Sequence, residues 1–381
     1  MASRAKRLSV LLILAALGVT ACGDDPLDPL LAPDDAAAAR EGGGAPDPVT
    51  VMTRNLYLGA DFSLVLTGQI QAALAQVSTT FFPLRAPALV AEIAAVQPDL
   101  IGLQEVATYQ FSAGCPTGAG TIDFLAILVG ALGGAYTPYA SPNLSVQVPA
   151  GPTCVITYTD ADAILVRQGP DVMVHGSGTA SYQAQVSLAQ LGGLQNLRGY
   201  QWVDVAVDGQ RFHFVNTHLE VQQPPSWGAI QEMQAAELLA FVNGLGGPVF
   251  MVGDFNSAAN PSAPAASRTA TYGMILDAGF DDLWLRHNGQ NTDTGLTFGH
   301  DPDLSNVQPD FNQRIDFIFA RNVPSGAGFA GGVEMGVVGE EPGDGYVVFN
   351  PLLGMDVHLW ASDHAGVHAT LWMPPGLMAG P

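Results

Sequence analysis

The chain of 381 residues carries 35 acidic against 13 basic side chains, a formal charge of −22, and Lys6 is its only lysine. With 48% apolar residues it has the material for a sizeable core and does not read as a disordered polymer. The acidity excludes a general nucleic-acid binder, whose affinity comes mainly from Lys and Arg neutralising phosphates, and a protein held to anionic lipid by a basic face.

Arg4, Lys6 and Arg7 precede an apolar run over residues 8–19. That run is too short to span a bilayer, which takes roughly 20 residues of helix. A basic start, a short apolar run and small residues after it read as a secretory signal. The run ends Val19-Thr20-Ala21-Cys22, which resembles a bacterial lipobox. The resemblance implies cleavage before Cys22, lipid on its thiol and new N-terminus, and export to the bacterial cell envelope on a membrane anchor. An ordinary signal peptide with an incidental Cys22 is the alternative. Residues 1–21 hold three basic and no acidic side chains, so their removal leaves ten arginines against 35 acids, a charge of −25. Residues 22–48, rich in Asp, Pro, Ala and Gly, read as a disordered tether.

From residue 49 to 373 the chain reads as one alternating domain, followed by a tail over 374–381. Short Val/Ile/Phe/Leu runs bounded by Gly, Asp or Pro predict strands over 49–54, 100–104, 163–167, 200–207, 211–216, 249–252, 315–320 and 366–371. Asp208-Gly209 between two of them is a strong hairpin signal. Leu89, Ile93 and Val96 predict a helix ending before Pro98. Ile230, Met233, Leu238, Phe241 and Leu245 predict another before Gly246-Gly247, and residues 121–132 a shorter, all-apolar one. Strands and helices mixed in this way, with a hairpin inside, predict an α/β (α+β) fold with mixed sheets.

Cys115 and Cys154 sit in Gly/Pro/Thr loops. As the one remaining pair in an exported chain they predict a disulfide; two free buried thiols are the alternative.

Polar residues stand at the C-terminal ends of the apolar strands, where α/β scaffolds gather their sites. They are Asn55, Glu105, His218, Asp254 with Asn256, Asp316, and Asp363 with His364. Taken singly, each is a turn residue, a cap or a buried polar side chain. Their joint order is stronger. With Gln104-Glu105, Thr217-His218-Leu219, Gly253-Asp254-Phe255-Asn256, Arg314-Ile315-Asp316 and Ser362-Asp363-His364, the sequence resembles the endonuclease/exonuclease/phosphatase (DNase I-like) family over roughly residues 49–373.

The resemblance implies a four-layered sandwich of two mixed β-sheets flanked by helices, and a metal-dependent phosphoester hydrolase, most readily a phosphodiesterase. Such chemistry needs charge neutralised on phosphate oxygens, an activated water and a stabilised leaving oxygen. Hard oxygen ligands select Mg²⁺, with Mn²⁺ or Ca²⁺ as substitutes. Asn55 and Glu105 are expected to bind it, with Asp363. His364 with Asp316 reads as an oriented proton-transfer pair. Asp254 is expected to orient or deprotonate the water, Asn256 to hold it and the phosphate, and His218 to donate to a phosphate oxygen.

Arg198, before the hairpin, is either a phosphate contact or a surface arginine. Two positions depart from the family pattern. Ala161-Asp162 stands where Gly-Asn is frequent, and Arg54 where an aromatic is common. Asp160 and Asp162 either face the cleft or bound the strand; the latter is the reading taken. The substrate stays open between nucleic acid (an extracellular nuclease), a sphingomyelin- or phospholipid-type diester, and an inositol phosphate. A loop with Phe349, Leu352, Leu353, Met355, Leu359 and Trp360 is either an apolar lipid contact or a core strand and turn. A binding lipoprotein without catalysis is the minor alternative, and a monomer is expected.

Overall fold

The computed structural model describes residues 48–115, 118–188, 193–289, 291–323 and 332–371. The expected signal sequence, Cys22, the expected tether up to residue 47 and the expected tail lie outside these residues.

Among the described residues, eight strands form one sheet. They are β1 (Val49–Asn55), β2 (Leu100–Gln104), β3 (Thr108–Phe111), β4 (Gly120–Asp123), β5 (Tyr136–Pro149) and β6 (Val155–Arg167), with β15 (Val333–Val338) and β18 (Gly366–Leu371) added late in the chain. Six form the other: β7 (Val172–Ser181), β10 (Gly199–Val207), β11 (Gln210–His218), β12 (Val249–Asp254), β13 (Asp281–Asp282) and β14 (Asp316–Arg321). Two small hairpins stand apart, β8 (Val186–Leu188) with β9 (Leu194–Asn196), and β16 (Tyr346–Asn350) with β17 (Met355–Leu359).

The sheets stack face to face. Val51, Leu100 and Val166 of the first meet Val205, Phe214 and Phe250 of the second. The alternate residues point outward. Met52, Ile101 and Leu165 lie under the helices Phe82–Val96 and Phe124–Ala131. Val215, Met251 and Phe319 lie under Ser226–Asn243 and Thr271–Asp277. Covered on both faces, the central strands appear in the sequence as unbroken apolar runs rather than alternating ones. The result is the expected four-layered sandwich.

Each sheet contains one parallel pair set among antiparallel neighbours. Asn55 aligns with Gln104 in β1–β2, and His218 with Asp254 in β11–β12. Parallel neighbours end at the same rim, so four strand ends open together. β14 runs back against β12 and sets Asp316 opposite Asp254. Two glycines permit the close packing. A Cβ on Gly102 would collide with Asn216 Oδ1 and Val252 from the facing sheet. One on Gly253, whose φ is +143°, would strike the carbonyl oxygen of Thr217.

Asp208 and Gly209 have φ of 49° and 75°, a pair of left-handed residues that turns β10 into β11. Three expectations shift. The strand expected at 163–167 is the last third of a 13-residue β6. Residues 120–123 pair with β3, so the helix there starts only at Phe124, capped by the Asp123 carboxylate. On Ser226–Asn243 the core face is Ala235, Leu238, Leu239 and Val242, while Met233 is exposed.

Cys115 and Cys154 are joined as a disulfide that fastens the end of β3 to the start of β6. Closing a loop of 39 residues' separation contributes about 4 kcal/mol on the chain-entropy account. Replacing both cysteines by serine should lower unfolding free energy in urea by about that amount. An unchanged midpoint would show that the bridge constrains nothing.

Candidate active site

The four strand ends surround a recess of about 280 Å³ lined by Glu105, His218, Asp254, Asn256, Asp363 and His364. The structure thus gathers residues spread over some 310 positions of sequence. Of the expected site residues, Asn55 and Asp316 stand immediately behind this lining, and Arg198 is in it.

Tyr57, Glu105 and Asn256 adopt left-handed backbone conformations, with φ of 59°, 55° and 49°. None is glycine, and such residues cost roughly 1–3 kcal/mol each. Local hydrogen bonds hold them. Asn55 Oδ1 accepts from the Tyr57 amide at 2.9 Å, Glu105 Oε2 from the Leu58 amide at 2.7 Å, and Asp254 Oδ1 from the Asn256 amide at 2.9 Å.

His364 is bound through Nδ1 to Asp316 Oδ2 at 2.9 Å. Its Nε2 faces Asp254 Oδ2 at 3.8 Å and Asp363 Oδ1 at 4.0 Å. Burial works against charge on this ring, but Asp316, Asp363 and Asp254 outweigh it and push the imidazole up to about 10. Asp254 is pushed up to about 7 by burial and then by the charge of Asp316. A carboxylate poised near neutrality beside an imidazolium suits proton transfer from water.

His218 has the opposite character. Arg198 Nη1 approaches its Nδ1 at 2.6 Å. A guanidinium only donates, so Nδ1 accepts and the ring proton sits on Nε2. Burial, then the charges of Arg198 and His364, hold His218 well below the usual histidine range. Asn256 Nδ2, which donates to Leu219 O at 3.0 Å, lies 3.2 Å from that same Nε2. The two nitrogens lie side by side on the recess wall, and Asp254 Oδ2 is 3.4 Å from His218 Nε2.

Asp363 is raised to about 7, first by burial and, against the lowering pull of His364, by the Glu105 charge. Two like-charged oxygen donors facing one recess are a donor set for a hard divalent cation. Asp254, Asp316 and His364 also bring ligand atoms within 4.8 Å of one another. A cation there would have to displace the His364 proton, because a metal-binding imidazole must be neutral. Asn55 Nδ2 donates to Glu105 Oε1 and Asp254 Oδ2, both at 3.2 Å, and so links the two carboxylates.

Arg198 is buried, not a surface residue, and Asp160 lines the recess instead of merely bounding its strand. Asp162 is fully buried behind it, accepting from Asn143 at 2.8 Å. Arg314, in the Arg-Ile-Asp motif, pairs with Asp282 at 2.7 Å and anchors β13 rather than entering the site. The residues at 346–359 are the β16–β17 hairpin. Leu359 and the following Trp360 are buried, while Val347, Phe349 and Met355 are exposed.

Two buried arginines support the site: Arg85, which the sequence did not mark, and Arg54, which it marked only as a departure from the family pattern. Arg85 is fully buried and donates to four carbonyls, those of Thr80, Leu56, Tyr57 and Ala361, at 2.6–2.8 Å. Arg54 binds Glu92 through Nε and Nη2 and donates from Nη1 to the carbonyl of His364. Ser362 Oγ completes the frame, donating to Asn55 O at 2.8 Å.

A model of the endonuclease/exonuclease/phosphatase family matches residues 69–364, and the chain belongs to that family of phosphoester hydrolases, which are typically dependent on a divalent metal. Solved structures share the fold at low identity. An endonuclease/exonuclease/phosphatase of Beutenbergia cavernae is 19% identical, with a TM-score of 0.54 over 86% of this chain and 72% of that one. TDP2 of D. rerio, complexed with a single strand DNA product, is 17% identical, with 0.51 over 85% and 98%. A mannosyl-6-phosphatase of Bacteroides thetaiotaomicron is 15% identical, with 0.50 over 85% and 99%. No curated protein matches the chain in sequence.

The two histidines should titrate apart in the metal-free protein. Ring-proton NMR should show His364 still charged at about pH 9 and His218 neutral at about pH 6. Because the folded value of His364 is raised, its stabilising contribution is complete below about pH 6.5. That contribution is lost as pH climbs through about 10. A His364 midpoint near the free imidazole value would contradict the Asp316 pairing.

Proposed function

We propose that the protein hydrolyses a phosphoester, most readily a diester, by in-line attack of a water, with Mg²⁺ held by Glu105 and Asp363. The adjacent polar edges of His218 and Asn256 carry this reading: His218 Nε2 and Asn256 Nδ2 lie 3.2 Å apart on the wall of a recess that Arg198, His364 and the carboxylates of Glu105, Asp254 and Asp363 also line, where they fit a phosphate oxygen. A divalent cation would supply the Lewis-acid charge that this acidic chain lacks. Asp254, near neutrality, takes the proton of the attacking water. His364, charged through Asp316, steadies the charge developing on the phosphoryl group. Neutral His218 and Asn256 hold a non-bridging oxygen. Arg198 fixes the His218 tautomer from behind, which assigns it to positioning as much as to phosphate contact.

A recess of this volume suits a compact ester or a strand end better than continuous duplex. A lipid diester is the second reading, favoured by Val347, Phe349 and Met355, exposed on the hairpin that leads into the Asp363 loop. We further propose a monomer exported to the cell envelope and tethered through Cys22. The disulfide supports an oxidising compartment, and among the described residues no single helix is long and apolar enough to cross a membrane.

His364→Ala should lower hydrolysis by about a thousandfold with the fold retained by circular dichroism. The assay uses bis(p-nitrophenyl) phosphate, plasmid DNA, RNA, sphingomyelin vesicles and inositol phosphates in Mg²⁺. Wild-type protein inert on all of them would overturn the hydrolase and leave a binding lipoprotein.

A further inference from the structure

Arg54 is 1% exposed, stands in β1 one position before Asn55, and does not line the recess. Each nitrogen of its guanidinium is nevertheless used. Nε and Nη2 donate to Glu92 Oε2 and Oε1, both at 2.9 Å, and Nη1 donates to the main-chain carbonyl of His364. Glu92 projects from the covering helix Phe82–Val96, and its side chain is only 11% exposed. The neighbouring backbone leaves room for the pair. A Cβ on Gly366, two residues after His364, would come within 3.0 Å of Arg54 Cδ. One on Gly339, whose φ is +77°, would come within 2.8 Å of Glu92 Oε1 and 2.9 Å of Arg54 Nη2. Glycine at both points lets the arginine stem pass and its head lie against the chain.

An ion pair so enclosed adds little to stability by itself. Desolvating two charges offsets much of the Coulombic gain, and apolar residues of similar volume commonly serve as well. What the pair supplies beyond an apolar filling is a fixed donor for one chosen carbonyl. That carbonyl belongs to the charged histidine of the site. On either side of it, the His364 amide donates to Ser362 Oγ at 3.2 Å and the Ala365 amide to Thr297 O at 2.7 Å. The ring itself meets Asp316 at 2.9 Å. A small rotation of this main chain would carry Nδ1 off that carboxylate and swing Nε2 away from Asp254. Glu92 occupies two directions of the planar guanidinium and so aims the third at His364 O. A lysine has no such fork, since its ammonium is a compact point charge. The aromatic ring common at this position in the family would fill the space without offering it.

We propose that Arg54, clamped by Glu92, is a positioning residue for His364, holding its carbonyl and through it the place of the imidazole between Asp316 and Asp254. This rests on the hydrolase reading and assigns how its charged histidine is aimed. Neither Arg54 nor Glu92 touches the reacting groups.

The test is the double variant Arg54→Met, Glu92→Met, which removes both charges together and leaves neither buried alone. With bis(p-nitrophenyl) phosphate in Mg²⁺, kcat should fall about a hundredfold, as a misplacement of about 1 Å implies. KM should not change, because ground-state binding is untouched. A pair that serves stability alone predicts a folded variant with wild-type kcat, and that result overturns the proposal. The second readout is the proton of His364 Nδ1, observed by NMR in metal-free protein at neutral pH and assigned by its absence in His364→Ala. It should be visible in the wild type and lost from the double variant. If the double variant does not fold by circular dichroism, Arg54→Lys takes its place: lowered kcat at unchanged KM supports the proposal, and wild-type kcat overturns it. If the wild type cleaves no phosphoester in any metal, the hydrolase reading fails and the Nδ1 proton decides the positioning alone. Its loss in the variant supports the proposal; a signal absent from the wild type, or unchanged in the variant, overturns it.

Discussion

The site depends on Arg85. A guanidinium with no exposed surface normally needs a carboxylate partner, but this one satisfies its donors on four main-chain carbonyls and lies over the rings of Phe82, Phe124 and Tyr57. Two of those carbonyls directly follow Asn55, and a third directly precedes Ser362-Asp363-His364. One side chain therefore ties together two segments about 300 residues apart, the one that follows Asn55 and the one that supplies Asp363 and His364. Burial lowers Arg85 to about 10, still charged at neutrality, and its charge in turn tempers Asp363. Any loss of Arg85 strands several buried carbonyls at once, at roughly 1–3 kcal/mol each.

Around that frame the electrostatics divide into two halves. On the side of β14, Asp316 keeps His364 charged and raises Asp254. On the side of β11, Arg198 keeps His218 neutral and fixes its proton on Nε2. The same residue type thus serves as a cation and as a neutral donor within one recess: aspartates outweigh burial at His364, whereas burial and then the charges of Arg198 and His364 keep His218 neutral. The acid excess has a local meaning as well. Glu105 raises Asp363 by its charge, and a cation bound to the two would add to the attraction that His364 offers an anionic ester.

Much of this was legible in the sequence, and the failures have physical causes. The doubly covered strands announce themselves as apolar runs, their polar last residues mark the rim, and Asp208-Gly209 marks the hairpin. β5 was invisible because Pro138, Pro142 and Pro149 argue against a strand. It tolerates them as an edge strand, bulged between Pro142 and Leu144 and paired only with β6. β7 alternates, but in Gly, Ser, Thr and Ala, and carries little apolar signal. Arg85 left a trace that went unread: Phe82, Arg85, Ala86, Leu89 and Ile93 share one helix face, and an arginine inside an apolar stripe points to a buried role. Asp160 was open between cleft and strand boundary, and His300 left no trace, since only the fold brings it to the recess. Nor does sequence foretell that Asn55 turns its amide nitrogen toward two carboxylates.

The central claim is that a divalent cation on Glu105 and Asp363 supplies the attraction that a chain with 35 acidic against 13 basic side chains lacks. Its most direct test is calorimetric titration of Mg²⁺ and Mn²⁺ into EDTA-treated full-length protein, wild type against Glu105→Gln and Asp363→Asn, with hydrolysis of bis(p-nitrophenyl) phosphate followed in parallel. The account predicts saturable binding to the wild type, its loss in both variants, and activity that vanishes in EDTA and returns with metal. Full activity in excess EDTA, or undiminished metal binding in both variants, would contradict it.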